Sequence, residues 1–121
     1  MAYTAQDFIV YAGNDRVLEF TVEGGEVTAE VWWGCTDHKA AAPLLQLRST
    51  DPEQVDIEDA GADGIVATVF VSAADTAGLL DAGQLQRVLW HELLYVDDQG
   101  NRETIATGRM VVQASIFKGE T

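Results

Sequence analysis

Residues 90–101, WHELLYVDDQGN, begin like the zinc-protease signature His-Glu-x-x-His. That signature binds zinc because two histidines four residues apart lie on one face of a helix, while the glutamate between them polarises the bound water. Here His91 and Glu92 are followed by Tyr95 at the position of the second histidine. We therefore do not expect metalloprotease chemistry, and we predict that the protein needs no metal and no other cofactor.

A second possible metal site consists of Cys35 and His38, which have the spacing of half a zinc site. The chain has no other cysteine, and its only other histidine, His91, is far away in sequence. A structural or loop role is the favoured interpretation for both residues. A single cysteine also excludes a disulfide bond within the chain.

The segment DDQGN, residues 97–101, together with Glu103 offers oxygen ligands of the kind found in calcium loops. It lacks the regularly spaced acidic positions and the final bidentate glutamate of an EF-hand. An ordinary hairpin turn is the favoured interpretation, because Asp, Gly and Asn are the residues that such turns require.

Nucleophilic catalysis would have to use Ser72, Ser115 or Cys35, with only two histidines available as bases. No Gly-x-Ser-x-Gly elbow is present. A pair of carboxylates could act as in a glycosidase, but in so acidic a chain such a pair carries almost no information. We predict that the protein is not an enzyme.

Composition narrows the class of protein further. A length of 121 residues suits a single domain, residues 1–121, and a hydrophobic content of 47% indicates a folded chain. The net charge of -13 disfavours binding to nucleic acid or to anionic membranes. Because the sequence shows neither a membrane-spanning apolar run nor a signal peptide, we expect a soluble protein synthesised in the cytoplasm.

The elements that must position these residues are mostly strands, because apolar and polar residues alternate with period two. Residues 16–23 and 26–33 both show this pattern, and a Gly-Gly pair lies between them, so we predict a hairpin. The predicted apolar side of the second strand consists of Val27, Ala29, Val31 and Trp33.

Four further short strands are predicted at DFIVYAG (7–13), PLLQLRS (43–49), EQVDIED (53–59) and GIVATVFVS (64–72). The last of these is the clearest central strand. It places one apolar set on a single side, namely Ile65, Ala67, Val69 and Val71.

The period then changes in SAADTAGLLDAG, residues 72–83, where Ser72 and Asp75 have the spacing of a capping box and predict a short helix. Residues 85–116 form two β-rich runs around DDQGN, which predicts a closing hairpin. Alternation around His91 is imperfect, so either both faces of that strand are covered or a β-bulge shifts its register. The predicted fold is an all-β, immunoglobulin-like antiparallel sandwich of seven to eight strands with one short helical crossover.

Trp32 lies on the polar side of its strand, beside Thr28 and Glu30. Two interpretations remain open. The ring could be covered by the loop formed by residues 36–42, or it could contact a partner subunit, since tryptophan is enriched at interface hot spots. Trp32 is therefore the candidate protein-interface residue.

The layout of the chain resembles small β-sandwich domains of tailed-phage virions, and the nearest type is the N-terminal domain of phage baseplate upper proteins. The segments that support this resemblance are DFIVYAGNDRVLEFTV, DGIVATVFVSAADTAGL and YVDDQGNRETIATGRMVVQAS, in which Gly64, Asp98, Gly100 and Gly108 match its layout. Such domains contain a first hairpin, a strand that begins Gly-x-Val/Ile, a short helix and a last hairpin with an Asp/Asn-Gly turn. Because no long fibre or receptor-binding region follows, the resemblance implies a stand-alone accessory protein.

The resemblance implies a non-enzymatic structural protein of the virion, in the baseplate, tail, neck or capsid, made in the host cytoplasm. Its partners would be other virion proteins, bound in multiple copies or as a homo-oligomer. Two other classes remain possible. Acidic side chains in phosphate-like rows would favour a DNA mimic that inhibits a nuclease, whereas coplanar rings from Trp32, Trp90 and a tyrosine would favour a carbohydrate-binding module.

Overall fold

Nine strands and one short helix make up the regular structure of residues 4–37 and 42–115, the part of the chain that the computed structural model describes. The strands are β1 (Thr4–Ala5), β2 (Phe8–Tyr11), β3 (Arg16–Val22), β4 (Glu30–Thr36), β5 (Leu45–Arg48), β6 (Val55–Asp59), β7 (Ile65–Val71), β8 (Gln86–Val96) and β9 (Arg102–Gln113). The helix α1 comprises Ala73–Ala77, and a single 3-10 turn, Gly61–Asp63, precedes β7.

The strands form two sheets. The larger sheet has the order β1-β9-β8-β4-β5, with β2 also paired to β9, and the smaller sheet has the order β3-β7-β6. Their apolar sides face each other and enclose one core, so the fold is an immunoglobulin-like β-sandwich, as the sequence predicted. Since β1 and β2 both pair with β9 and can be counted as one interrupted strand, the predicted number of strands is also confirmed.

Alternation along the strands supplies the core. In β7 all four residues of the predicted apolar side are at most 3% exposed. They pack against inward-facing residues of the larger sheet, which include Val31, Trp33, Cys35, Leu89, Leu93, Met110 and Val112. Burial of these side chains is the main stabilising contribution to the sandwich.

The predicted hairpin between the first two alternating segments is wrong. β3 pairs with β7 in the smaller sheet, whereas β4 pairs with β5 and β8 in the larger one. A hairpin would have put both apolar sides on the same face of one sheet, but the crossover makes them face each other across the core. The second strand of the predicted hairpin, which is β4, also begins later than predicted, at Glu30. Val27, assigned to its apolar side, is 52% exposed.

The connection between β3 and β4 is tied to the larger sheet by the Glu26 backbone N–H, which donates to the Tyr95 hydroxyl at 3.0 Å. Two turns shape this connection, closed by Gly25 N–H to Val22 O and by Ala29 N–H to Glu26 O. It is therefore a structured crossover between the sheets rather than a tight two-residue turn.

The pairing of β1 and β2 with β9 is parallel, which modifies the expected antiparallel sandwich. Between β1 and β2, the Gln6 carbonyl passes directly over Gly108 in β9. A Cβ atom at Gly108 would lie 1.8 Å from that oxygen, a distance no side chain tolerates. The absence of a side chain at this position therefore permits the N-terminal strands to cross the last one closely.

The closing hairpin and its irregularity are confirmed. β8 and β9 pair over their whole length, with a register shift between Leu93 and Leu94 where Ile105 is the extra residue of β9. Such a bulge keeps apolar side chains directed inward on both sides of the shift. Residues 97–101 form the connecting loop, in which Gly100 has a φ of 84°, a conformation that other residues adopt only with strain.

The short helix α1 is confirmed together with its capping box. The Ser72 hydroxyl accepts a hydrogen bond from the Asp75 N–H, and the Asp75 carboxylate accepts one from the Ser72 N–H. Gly78 ends the helix.

Among residues 4–37 and 42–115, no helix has the length and apolar character needed to cross a membrane.

Candidate functional site

The zinc-protease-like residues lie on a strand, as predicted. Within β8, His91 and Tyr95 point into the sandwich, whereas Glu92 points outward. The three side chains therefore cannot converge on one metal ion. Over the described part of the chain, no group of three or more His, Cys, Asp or Glu side chains is arranged to hold a metal.

His91 is instead a fully paired core residue with 1% exposure. Its Nδ1 accepts a hydrogen bond from the Trp33 indole N–H at 3.3 Å, and its Nε2 lies 2.6 Å from the Gln6 carbonyl oxygen. Because Nδ1 is an acceptor, the proton must be on Nε2, which donates to Gln6. The Phe8 ring packs edge-on against the imidazole with ring centres 4.7 Å apart.

Burial lowers the pKa of His91 below its usual value of 6.5, because the cationic form would lose its hydration. The Gln6 carbonyl and the Asp7 carboxylate favour the charged form and oppose this shift, but they are the smaller influences. The neutral imidazole, fixed in one tautomer, joins β8, β4 and the β1–β2 connection, and its role in this structure is structural.

Cys35 is also a core residue, 2% exposed, and burial raises the pKa of its thiol to about 12. A thiol with so high a pKa is neither a nucleophile nor a ready metal ligand at neutral pH. His38, the other residue with half-zinc-site spacing, lies outside the described residues.

The remaining sequence candidates also have structural roles. Ser72 caps α1 through its hydroxyl. The Asp97 carboxylate accepts hydrogen bonds from the N–H groups of Gln99 and Asn101 and from the Asn101 side chain, and the Asn101 backbone N–H is the main cause of its lowered pKa. The DDQGN segment therefore uses these oxygens to close a hairpin loop. Ser115 is half-buried just after β9.

The outer face of the larger sheet is the most distinctive surface of the molecule. In a chain of net charge -13, the outward-facing residues of its longer strands include three arginines and two glutamates. These are Arg48, Arg102, Arg109, Glu30 and Glu92. Two tryptophans, Trp32 and Trp90, point to the same side, so this face combines aromatic rings with a local excess of positive charge.

Trp32 lies between two arginines on this face. The Arg48 guanidinium, from the neighbouring β5, has its Cζ 4.1 Å from the ring centre, and that of Arg102, from β9 on the other side, lies at 4.8 Å. The indole N–H donates to the Glu30 carboxylate at 3.1 Å. We call Arg48, Trp32 and Arg102 the arginine–tryptophan stack, and cation–π attraction holds it together.

A depression of about 410 Å³ lies beside the stack on the same face. Gly34 forms its floor, because this position in β4 has no side chain between Trp32 and Thr36. Glu92 borders the depression and accepts a short hydrogen bond from the Thr104 hydroxyl. Trp90 borders it at the far end, opposite Thr36 in the strand register.

The other end of the face is apolar. Ile9, Val111 and Val88 stand side by side on β2, β9 and β8. Ile9 is 49% exposed and Val88 44%, and Tyr11, which also faces outward beside Gln113, is 48% exposed. We call Ile9, Tyr11, Val88 and Val111 the apolar strip, which is the type of surface that marks protein contacts.

The outer face of the smaller sheet has the opposite character. Its outward-facing strand residues include Glu19, Asp56 and Glu58 but no lysine or arginine. Its exposed apolar side chains are Val17 and Phe70, which pair across β3 and β7 at one end. The two outer faces of the sandwich therefore differ in both charge and aromatic content.

Of these surface features, the sequence predicted only the outward position of Trp32. Arg48 and Arg102 were missed because they are far from Trp32 along the chain. Alternation does place Arg48 on the side opposite the buried Leu47, and this signal would have found it if β5 had been assigned beside β4.

No protein-family model matches the chain, and no curated protein matches its sequence. Similar solved structures include the NK cell receptor Nkp44, with 15% identity, a TM-score of 0.41 and coverage of 95% of this chain and 100% of that one. The extracellular domain of the voltage-gated sodium channel beta4 subunit has 11% identity, a TM-score of 0.41 and coverage of 96% and 97%. Murine CRIg has 10% identity, a TM-score of 0.38 and coverage of 90% and 92%. At these identities the likeness concerns the fold alone.

Proposed function

We propose that this protein is a non-enzymatic structural component of a tailed-phage virion that docks onto other virion proteins in multiple copies. The observation that supports a docking role most directly is the composition of the outer face of the larger sheet. That face combines tryptophan, tyrosine and arginine with few carboxylates, in a chain in which acidic residues outnumber basic ones by 20 to 7.

Interfaces between proteins have the same bias. Aromatic residues and arginine are enriched in them, aspartate and glutamate are depleted, and tryptophan, tyrosine and arginine dominate the binding energy. The absence of a catalytic arrangement among the described candidates, with His91 and Cys35 buried and Ser72 used as a cap, is consistent with a binding role.

The apolar strip is the proposed contact with the virion scaffold. Leaving Ile9, Tyr11, Val88 and Val111 in water is unfavourable, and covering them would contribute roughly 25 cal/mol per Å² of apolar surface removed from solvent. The strip residues lie on the paired strands β2, β9 and β8, so little backbone entropy would be lost when the strip docks.

The alternative classes receive less support. A DNA mimic needs extended rows of negative charge, and the acidic face of the smaller sheet has only Glu19, Asp56 and Glu58 on its strands. A carbohydrate-binding module needs an open ring for stacking, but two guanidinium groups already lie over Trp32.

Particle incorporation tests the proposal. Phages whose own copy of the gene is deleted would be grown in cells that supply either the wild-type protein, Val88→Glu or Val17→Glu, and purified particles would be quantified by mass spectrometry. We expect the wild type in the particles and Val88→Glu largely absent from them, because a charge in the apolar strip cannot be buried without a partner.

Val17→Glu is the matched control, since Val17 is an exposed valine of the smaller sheet. It should be incorporated like the wild type. Particles that lack the wild-type protein, although the cells express it, would refute the virion proposal. Equal losses for the two variants would refute the assignment of the docking face.

A further inference from the structure

The arginine–tryptophan stack contains two cationic groups to which the described residues offer no anionic partner. Arg48 and Arg102 are both exposed, and within residues 4–37 and 42–115 neither guanidinium makes a hydrogen bond or an ion pair. Arg87, in contrast, is paired with Asp37 at 3.2 Å. In a chain with so many carboxylates, two unpaired arginines on one ring call for an explanation.

Stacking leaves the hydrogen-bonding capacity of an arginine intact. A guanidinium that lies over an aromatic ring contacts it through its flat face, while the N–H donors along its edge remain available to a carboxylate. The ring also restricts the side chain, so that less entropy is lost when an anion binds. The stack is thus preorganised for two carboxylates.

The geometry limits how far apart those two carboxylates can be. With Cζ atoms 4.1 and 4.8 Å from one ring centre, the two guanidinium groups are at most about 9 Å apart. A complementary surface must therefore present a pair of acidic side chains at about that separation, without a basic residue between them.

The outer face of the smaller sheet presents such a pair. Glu19 and Asp56 flank Thr68 in one cross-strand row, two strand spacings apart, which corresponds to about 10 Å between their Cα atoms. Within the described residues, neither carboxylate has a hydrogen-bond or ion-pair partner among its neighbours on this face. The outward residues of this sheet include no basic side chain.

We propose that the arginine–tryptophan stack of one copy binds the Glu19 and Asp56 carboxylates of a second copy, so that copies associate head to tail. The two surfaces lie on opposite sides of the sandwich, and each copy therefore has one of each kind free to continue the assembly. Such a heterologous contact produces a ring if its rotation closes and an open filament if it does not. The proposal does not depend on the virion assignment.

Charge reversal on each surface tests this contact. Glu19→Lys/Asp56→Lys makes both outer faces basic, and Arg48→Glu/Arg102→Glu makes both acidic. Sedimentation velocity over the micromolar to millimolar range should show association of the wild type that weakens as salt is added, because salt screens exposed charges. Each double variant alone should remain monomeric.

An equimolar mixture of the two double variants should regain association, because each then finds a complementary face on the other. Asp81→Lys/Asp98→Lys, two exposed loop positions, is the control for net charge and should associate like the wild type, because both of its surfaces are intact. Circular dichroism melts should verify that every variant is folded. If Arg48→Glu/Arg102→Glu fails to fold, Arg48→Gln/Arg102→Gln, which keeps the side-chain stems on the ring, should be monomeric in its place.

Three outcomes would overturn the proposal: a wild type that is monomeric at every concentration, a mixture that stays monomeric although both variants are folded, or a control variant that is as monomeric as Glu19→Lys/Asp56→Lys. Because particle incorporation is measured separately with Val88→Glu, failure of head-to-tail association leaves the virion proposal standing, and the converse also holds.

Discussion

Trp32 and Trp33 are neighbours in the sequence, but their surroundings are opposite. Trp33 points into the sandwich and is 0% exposed, with its indole N–H bound to the neutral His91. Trp32 points outward, half-buried, with its N–H bound to the Glu30 carboxylate and two arginines over its ring. The same side chain thus meets a neutral, closed environment on one side of β4 and a charged, open one on the other.

The difference shows how one residue type can serve stability and recognition. Inside, His91 satisfies both of its ring nitrogens, so the Trp33–His91–Gln6 chain has no capacity left to bind anything else. Outside, the ring positions Arg48 and Arg102 but leaves their edge donors to the solvent. The inner contact joins β4, β8 and the β1–β2 connection of the larger sheet within the core, and the outer one prepares a surface.

Trp33→Ala should produce the largest effect on stability. Removing a fully buried tryptophan costs about 3 to 5 kcal/mol, and here it also deprives His91 of a hydrogen-bond donor. Urea unfolding followed by tryptophan fluorescence and circular dichroism would measure the loss. A cost below that of Trp32→Ala would contradict the division into an inner and an outer ring.

Acidic pH should selectively weaken the inner contact. Because the pKa of His91 is lowered in the folded protein, the unfolded chain binds this proton more tightly. The stability that the folded protein gains from keeping His91 neutral is fully present above the unfolded pKa of about 6.5. It is lost as the pH falls below that value, by up to about 1.4 kcal/mol of unfolding free energy per pH unit.

The control for this pH effect is His91→Gln, which can accept and donate hydrogen bonds but does not titrate. The difference in unfolding free energy between wild type and variant should shrink as the pH falls from 7 through the lowered pKa of His91. Parallel curves for the two proteins would mean that His91 is not held neutral in the core.

Trp32→Ala should have the smallest effect on stability, about 1 kcal/mol, because it removes mainly cation–π contacts on the outer face of the sheet. The isolated domain should stay folded, while its incorporation into particles and its self-association should both weaken. Unfolding of the variant at room temperature would show instead that the ring belongs to the core.

Local pattern predicted the elements far better than their partners. Alternation correctly assigned β7, the inward side of Trp33 and the outward side of Trp32. The broken alternation around His91 left open a bulge or coverage of both faces, and the register shift between Leu93 and Leu94 is a bulge. These features depend on side chains within a few residues of one another. The turn chemistry of DDQGN and the capping box of α1 are equally local, and both predictions were confirmed.

Local sequence pattern could not predict which strands pair or which distant residues come into contact. The two apolar sides of β3 and β4 are compatible with a hairpin or with a crossover, and only the rest of the core decides between them. His91 is likewise 85 residues from Gln6 and 58 from Trp33 along the chain. Nothing near His91 in the sequence indicates either partner, and the same is true of Arg48 and Arg102 around Trp32.

The parallel alignment of β2 with β9 also determines how the sandwich responds to mechanical force. Tension transmitted through the first and last strands pulls them in opposite directions along a common axis, so the bonds between Phe8–Tyr11 and Met110–Gln113 are loaded together in shear. An antiparallel hairpin pulled from its open end would instead break one bond at a time. Stretching the protein through these two strands therefore requires the bonds of this ladder to break together.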